Sequence, residues 1–251
     1  MFAVPFGRGG SIWLGVYGLI LLSWLGVIMM SRPLDGYDSF PAEIWAALCA
    51  SAASSDPLAL WAMWALMAAA MMLPTFVPSL RTFVDLGGAG ASSPATVSAM
   101  VLGYLVIWIA ASAIGAGLQI GLGRAGLVAP DGSSLSRYLS ASLMVVAGLY
   151  QFSALKDACL SKCRMPITFF MQHWKPGARA ALSMGLRLGV VCLGCCWALM
   201  LLGFVGGTMN LIWMGAATLF MTFEKLPRLG RPLTKPAGYA LFAGAVVVLL
   251  T

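Results

Sequence analysis

The sequence predicts an all-α protein, a polytopic bundle of six or seven transmembrane helices that forms a single transmembrane domain over residues 1–251. Hydrophobic residues make up 61% of the chain and charged residues only 9%, whereas soluble domains carry about 25% charged residues. The mean hydropathy is +0.92. The apolar residues fall in runs of about 20, the length that a helix needs to cross a bilayer. We expect no separate soluble domain.

Seven apolar runs are the candidate spans. The first is too long for the hydrophobic region of a cleaved signal peptide and lacks a small-residue cleavage site after it, so we expect it to be retained. The second contains Pro74 and Pro78, which we expect to kink it or to end it near Leu73. The last run is short, so six spans are the alternative. The runs cover residues 12–30, 58–80, 96–119, 138–155, 183–203, 207–223 and 236–251.

Two long loops are expected between these spans. The outer one covers residues 31–57, with a short surface helix over 44–53. The cytoplasmic one covers residues 156–182, with an apolar stretch from Ile167 to Met171 that rests at the interface. We expect Glu224 and Lys225 to end the sixth span at the lipid headgroups.

The distribution of basic residues predicts the orientation. With the N-terminus in the cytoplasm, the inner loops hold twelve of the 15 Lys and Arg residues, which fits the positive-inside rule for a multi-pass protein of the bacterial inner (plasma) membrane. The net charge of +7 then comes from loops that meet anionic lipid headgroups. The expected partner is therefore the lipid bilayer, and no nucleic acid. The outer loops hold Arg32, Arg124 and Arg137.

Five of the six cysteines lie at the fourth and fifth spans. Cys159 and Cys163 are four residues apart, so they share a face if the helix extends that far. Cys192, Cys195 and Cys196 fall within about a third of the circumference of the fifth helix. Since Cys192 lies about ten residues into that span, the trio is expected near the middle of the bilayer and the pair at its cytoplasmic edge.

Methionines accompany these cysteines. Met67 belongs to a stripe in the second span, Met200 extends the cysteine stripe by one turn, and Met209 begins the sixth span. Thiolates and thioethers are the ligands that Cu(I) prefers, and thiolates also suit Zn. The sequence therefore predicts a metal site for Cu(I), with Zn as the alternative. Plain packing is the other interpretation, because buried cysteine and methionine are ordinary core residues.

Three motifs also resemble those of a known family. They are W-A-M-W-A-L-M-A-A-A-M-M-L-P in the second span, Y-Q-F-S-A-L-K-D-A-C-L-S-K-C-R-M-P at 150–166, and C-L-G-C-C-W-A-L-M-L-L-G-F-V-G-G-T-M-N-L-I-W-M, followed by E-K at 224–225. Over about residues 60–226 the chain is similar to a bacterial family of predicted metal-binding integral membrane proteins, a domain of unknown function. The resemblance implies metal binding by Cys159, Cys163, Cys192, Cys195, Cys196 and Met209.

The leading functional hypothesis is a membrane protein that binds copper and handles, delivers or transports it, with a metal-donor or metal-acceptor protein as partner. The second is a structural or accessory subunit of a larger membrane complex, since nine Trp residues and many small residues favour close helix contacts. The third is a thiol oxidoreductase, because Cys192 and Cys195 have C-x-x-C spacing. Hydrolytic chemistry is not expected, since the apolar spans contain no acid–base pair, and the chain is more easily interpreted as a non-enzyme.

Overall fold

The structure is a computed structural model that describes residues 10–31, 56–91, 93–227 and 230–251. The predicted all-α class is confirmed, since these residues form helices and, apart from one isolated bridge between Val128 and Ser134, contain no β pairing. The expected surface helix over 44–53, Cys49 and Arg32 lie outside the described residues. The helices are α1 (Gly10–Met30), α2 (Pro57–Ala91), α3 (Pro94–Arg124), α4 (Arg137–Gln151), α5 (Ala154–Arg164), α6 (Pro166–His173), α7 (Ala178–Leu201), α8 (Gly203–Gly206), α9 (Leu211–Glu224) and α10 (Gly230–Leu250).

Five of the described helices are long and apolar enough to cross a membrane, namely α1, α2, α3, α7 and α10. A sixth span results if α4 and α5, which meet at an angle of 65°, are counted together. Counted in this way, the described helices give six spans, the lower of the two numbers predicted from the sequence. The expected span over 207–223 corresponds to α9, which has only 14 residues and falls short of the roughly 20 that a crossing needs.

The second helix does not end near Leu73. α2 continues through Pro74 and Pro78 to Ala91, because each proline removes only one backbone donor from the helix. Near the prolines, the hydroxyl of Thr75 donates to the carbonyl of Met72 at 2.9 Å, and that of Thr82 donates to the carbonyl of Pro78 at 3.0 Å. Thr75, near the middle of α2, also meets Lys225 at the end of α9.

The closest helix contact joins α3 to α7. A Cβ atom at Gly103 would collide with the backbone carbonyl of Leu182, and one at Gly185 would collide with that of Met100. Only glycine therefore allows the two backbones to approach this closely, as small residues commonly do between membrane helices. This contact fixes the position of α7, the helix that carries three of the cysteines.

The expected cytoplasmic loop over 156–182 is largely helical. Ser153 caps the start of α5 by accepting a hydrogen bond from the backbone of Lys156 at 3.1 Å, which restarts the helix after the bend and turns it back against α7. α6 then places Phe169 and Phe170 in the core, with Phe170 against Phe83 of α2. The segment that we expected to rest at the interface is therefore partly packed into the bundle.

Candidate metal centre

The three cysteines of α7 form one buried group. Each is at most 2% exposed, and their sulfur atoms all lie within 4.8 Å of one another. Positions 192, 195 and 196 are a turn apart on one helix face, which is why the spacing alone brings the sulfurs together. A single metal ion can reach all three.

Two of these thiols turn toward the start of the motif. The Sγ atoms of Cys195 and Cys196 each donate to the carbonyl oxygen of Cys192 at 3.0 Å. Cys196 Sγ also lies 3.9 Å from the thioether sulfur of Met72 on α2. The group therefore presents three thiol sulfurs and one thioether sulfur, contributed by two helices.

A buried lysine faces the first cysteine. Lys225, at the end of α9, donates to Cys192 Sγ at 2.9 Å and to the hydroxyl of Thr75 at 2.7 Å. The hydroxyl of Tyr104 on α3 lies 3.0 Å from the same sulfur. Cys192 is thus surrounded by groups able to donate hydrogen bonds to a thiolate, which is the form of cysteine that binds metals.

The charges around this group also favour a thiolate. The carboxylate of Glu224, which precedes Lys225, is paired with Lys156 at 2.9 Å, and both side chains are at most 2% exposed. A buried ammonium ion is costly without a negative partner. Because the carboxylate of Glu224 is already paired with Lys156, a thiolate at Cys192 is the negative group that can balance the charge of Lys225.

The two cysteines of α5 lie against the same group. Cys163 lines a small cavity together with Cys192, and a Cβ at Gly194 would lie 2.8 Å from the sulfur of Cys159. The pair is therefore not separated from the trio as expected, because the bend after α4 places α5 against α7. The five described cysteines are free thiols at one helix interface.

Polar contacts hold α5 in this position. The hydroxyl of Tyr150, near the end of α4, donates to the carbonyl of Gly194 between the cysteines. The Lys156–Glu224 ion pair joins the start of α5 to the end of α9. At the other end of α5, Arg164 donates to the carbonyl of Glu224 at 2.9 Å and to the hydroxyl of Thr234 at 3.1 Å.

A comparison with protein families finds one whose model matches residues 61–248 of this chain, which is most of its length. Its description is PpoB2, copper chaperone. The chain belongs to the PpoB2 copper chaperone family. The match includes every cysteine described above, and it confirms the resemblance to a metal-binding family. Comparisons with curated proteins and with solved structures find no match.

Not all of the methionines expected at the metal site of this PpoB2 family member lie beside its cysteines. Met67 and Met200 line a small cavity together with Met71 and Met214, one helical turn away. Met209 is half-buried in the turn before α9 and lines neither this cavity nor the small one beside Cys192. The thioether in contact with the thiols is instead that of Met72.

Sequence reasoning also missed Lys225 and Tyr104. Glu224 and Lys225 were expected at the lipid headgroups, and their side chains are buried inside the bundle, at 2% and 9% exposure. The available signal was a pair of opposite charges directly after a short apolar helix. Tyr104 gave no signal, because a tyrosine in an apolar helix is an ordinary packing residue.

Proposed function

We propose that this protein is a membrane copper chaperone that carries Cu(I) on the thiols of Cys192, Cys195 and Cys196. The observation that carries the proposal is the convergence of three buried sulfur atoms within 4.8 Å in a chain of a copper chaperone family. Copper is here the cargo rather than a resident cofactor. The fold fits a carrier, since the whole ligand set is fixed by helix packing before the ion arrives.

Cys163 is the fourth thiol of the proposed site. It lines a small cavity together with Cys192, which supports this assignment, and it is only half-buried, as is Cys159. An ion held by thiolates moves by exchange of one ligand for another. We therefore assign Cys163, and beyond it Cys159, to the passage of copper between the buried trio and a donor or acceptor protein.

The donor atoms favour Cu(I) over Zn. A structural zinc ion takes four nitrogen, oxygen or thiolate ligands in a tetrahedron, whereas Cu(I) also accepts thioether sulfur. Here Met72 stands next to Cys196 at 3.9 Å, and the only histidine, His173, hydrogen-bonds the carbonyl of Phe169. Zn remains the competing cargo that the metal analysis tests.

Lys225 supplies the counter-charge in this proposal. Two thiolates and one Cu(I) ion carry a net charge of −1, which the ammonium at 2.9 Å balances. The same contact stabilises the thiolate form of Cys192, which is the form that binds metal. A site in an apolar bundle needs such compensation, because an unbalanced charge there is expensive.

The proposed setting is the inner membrane of a bacterium, with the N-terminus in the cytoplasm. The apolar helices support membrane insertion, and the basic residues between Lys156 and Arg179 favour a cytoplasmic position for that segment. In that orientation α5 and its two cysteines lie on the cytoplasmic side. A copper donor or acceptor protein would approach there. An accessory role in a larger membrane complex is compatible with this carrier function.

Metal analysis tests the proposal directly. Protein is purified in detergent under reducing conditions, loaded with Cu(I), desalted and measured by elemental analysis. We expect the wild-type protein to retain copper and the variant with Cys192, Cys195 and Cys196→Ser to lose thiolate-bound copper. Met184→Leu, a buried change on the same helix, is the matched control and should retain it. Equal copper in the serine variant and the wild type would contradict the proposal.

The position of Cys163 in one small cavity with Cys192 supports the oxidoreductase hypothesis as a second candidate. A relay between the two cysteine groups requires a disulfide that joins them. Mass spectrometry of protein trapped with an alkylating agent in native membranes distinguishes the oxidoreductase from the carrier. A disulfide between α5 and α7 that forms and disappears during turnover would favour the oxidoreductase, and fully alkylated thiols would favour the carrier.

A further inference from the structure

A group of four methionine side chains lies about one helical turn from the cysteine group. Met67 and Met71 on α2, Met200 on α7 and Met214 on α9 line a common cavity of about 10 Å³. Three of these side chains are at most 4% exposed, and Met200 is half-buried. A volume of this size holds one water-sized particle. Three different helices therefore bring four methionine side chains around a space that fits a single ion.

The lining of this cavity selects for a soft cation. It contains no carboxylate, imidazole or thiol, so hard divalent ions find no charged ligand. The hydroxyl of Thr208 already donates to the carbonyl of Asp131 at 3.0 Å. The indole of Trp213 lines the cavity as well, and an indole face attracts cations. Neutral thioethers bind Cu(I) and its analogue Ag(I) far better than Zn or Mg.

We propose that Met67, Met71, Met200 and Met214 form a second Cu(I) site, built of thioethers and separate from the cysteine site. The proposal rests on the function proposed above only in taking Cu(I) as the cargo. It also reassigns Met67 and Met200, which the sequence alone had placed with the cysteines. Because thioethers carry no charge, a Cu(I) ion at this site keeps its charge of +1, which the indole face of Trp213 partly offsets.

The arrangement connects the two sites through shared helices. Met200 follows Cys196 by one turn of α7, a rise of about 6 Å, and Met71 precedes Met72 directly on α2. Copper passes between them by ligand exchange, in which each Cu–thioether bond that breaks is replaced by a Cu–thiolate bond. The ion remains Cu(I) throughout, so no electron donor or acceptor is required, and the accepting cysteine binds the ion as a thiolate, so no proton is released in the step.

Selenomethionine labelling gives a direct test. Protein made with selenomethionine at all methionines and loaded with Cu(I) is measured by X-ray absorption at the selenium edge. Met72→Leu first removes the thioether of the cysteine site. We expect selenium–copper scattering to persist in Met72→Leu protein. Its absence there would overturn the proposal, and this measurement requires no change in the cavity itself.

The cavity variants supply the second measurement. Leucine at positions 67, 71, 200 and 214, introduced together into the Met72→Leu protein, should abolish the remaining scattering and reduce bound copper by one equivalent. Leucine at Met63 and Met184, buried methionines outside the cavity, should leave both unchanged. Scattering that survives the cavity changes would overturn the proposal.

The two proposals fail in different ways in this experiment. If the variant with serine at Cys192, Cys195 and Cys196 retains all of its copper, the proposed cysteine function is wrong. The thioether site is still supported in that case if the cavity leucines remove copper. If the serine variant loses all copper and the cavity leucines change nothing, the thioether site falls and the cysteine function stands.

Discussion

The ammonium group of Lys225 lies 2.9 Å from the sulfur of Cys192, so a buried positive charge faces a cysteine rather than a carboxylate. The two residues are on different helices, α9 and α7, and Thr75 of α2 accepts the second hydrogen bond of the lysine at 2.7 Å. Three helices therefore meet at this contact, and the charge of one residue depends on the protonation of another.

Lys225→Met should weaken Cu(I) binding by about tenfold to a hundredfold, the range expected for loss of a charge-assisted hydrogen bond of about 1.5–3 kcal/mol. The reason is that the thiolate of Cys192 loses its counter-charge. The measurement is competition at neutral pH with a Cu(I) chelator of known affinity. Lys235→Met, on the exposed face of α10, is the control and should bind like the wild type. Unchanged affinity in Lys225→Met would refute the assigned role.

Cys163→Ser should reduce Cu(I) affinity more than Cys159→Ser does. Cys163 lines the small cavity beside Cys192, whereas the sulfur of Cys159 rests on the backbone at Gly194. The same chelator competition measures both variants. If Cys159→Ser has the larger effect, α5 is engaged with α7 in a different register from the one described here.

Breaking the buried ion pair should destabilise the protein strongly. Lys156→Met leaves Glu224 without a cation in the bundle, and loss of one partner of such a pair costs about 3–5 kcal/mol. Thermal unfolding in detergent should show a clear decrease in Tm, which Lys156→Met combined with Glu224→Leu should partly restore.

A matched control for the ion pair exists on α2. Arg81 and Asp85 form a pair at 3.9 Å, with side chains 64% and 71% exposed. Arg81→Met should change the stability by no more than about 1 kcal/mol, because exposed pairs contribute little. Equal effects of Lys156→Met and Arg81→Met would show that Lys156 and Glu224 are not a buried pair.

Gly185→Ala should destabilise the bundle by about 1–3 kcal/mol, the usual cost of overpacking, because the added Cβ meets the backbone carbonyl of Met100. Tm in detergent measures the effect. Gly117→Ala provides the comparison, since nothing lies within 4 Å of a Cβ there. A smaller loss of Tm for Gly185→Ala than for Gly117→Ala would argue against the α3–α7 contact.

The composition and hydropathy predicted the fold class, because a helix that faces lipid must be apolar along its whole length. The bend between α4 and α5 was not predicted. Its residues, Phe152 and Ser153, include neither glycine nor proline, and the one local signal is the capping of Lys156 by the Ser153 hydroxyl. A serine in an apolar run is common, so this cap becomes evident only once the helices are packed.

The cysteine trio was predictable for a different reason. All three residues lie on one helix, and the helical period alone places them on one face. Met72 and Lys225 join them from α2 and α9, at sequence separations of 124 and 33 residues. Such partners depend on which helices pack together, and no local pattern specifies that.

The short length of α9 affects how the protein is made, because the helices leave the ribosome in chain order. The α7 thiols leave the ribosome well before Glu224 and Lys225. These two residues end a helix of only 14 residues, which offers the translocon little apolar surface to retain. α9 therefore needs the helices made before it as a template for insertion. Until it docks, Cys192 is without its ammonium partner and the nascent chain carries unshielded thiols, so this interval is when a cellular reductant protects the protein most.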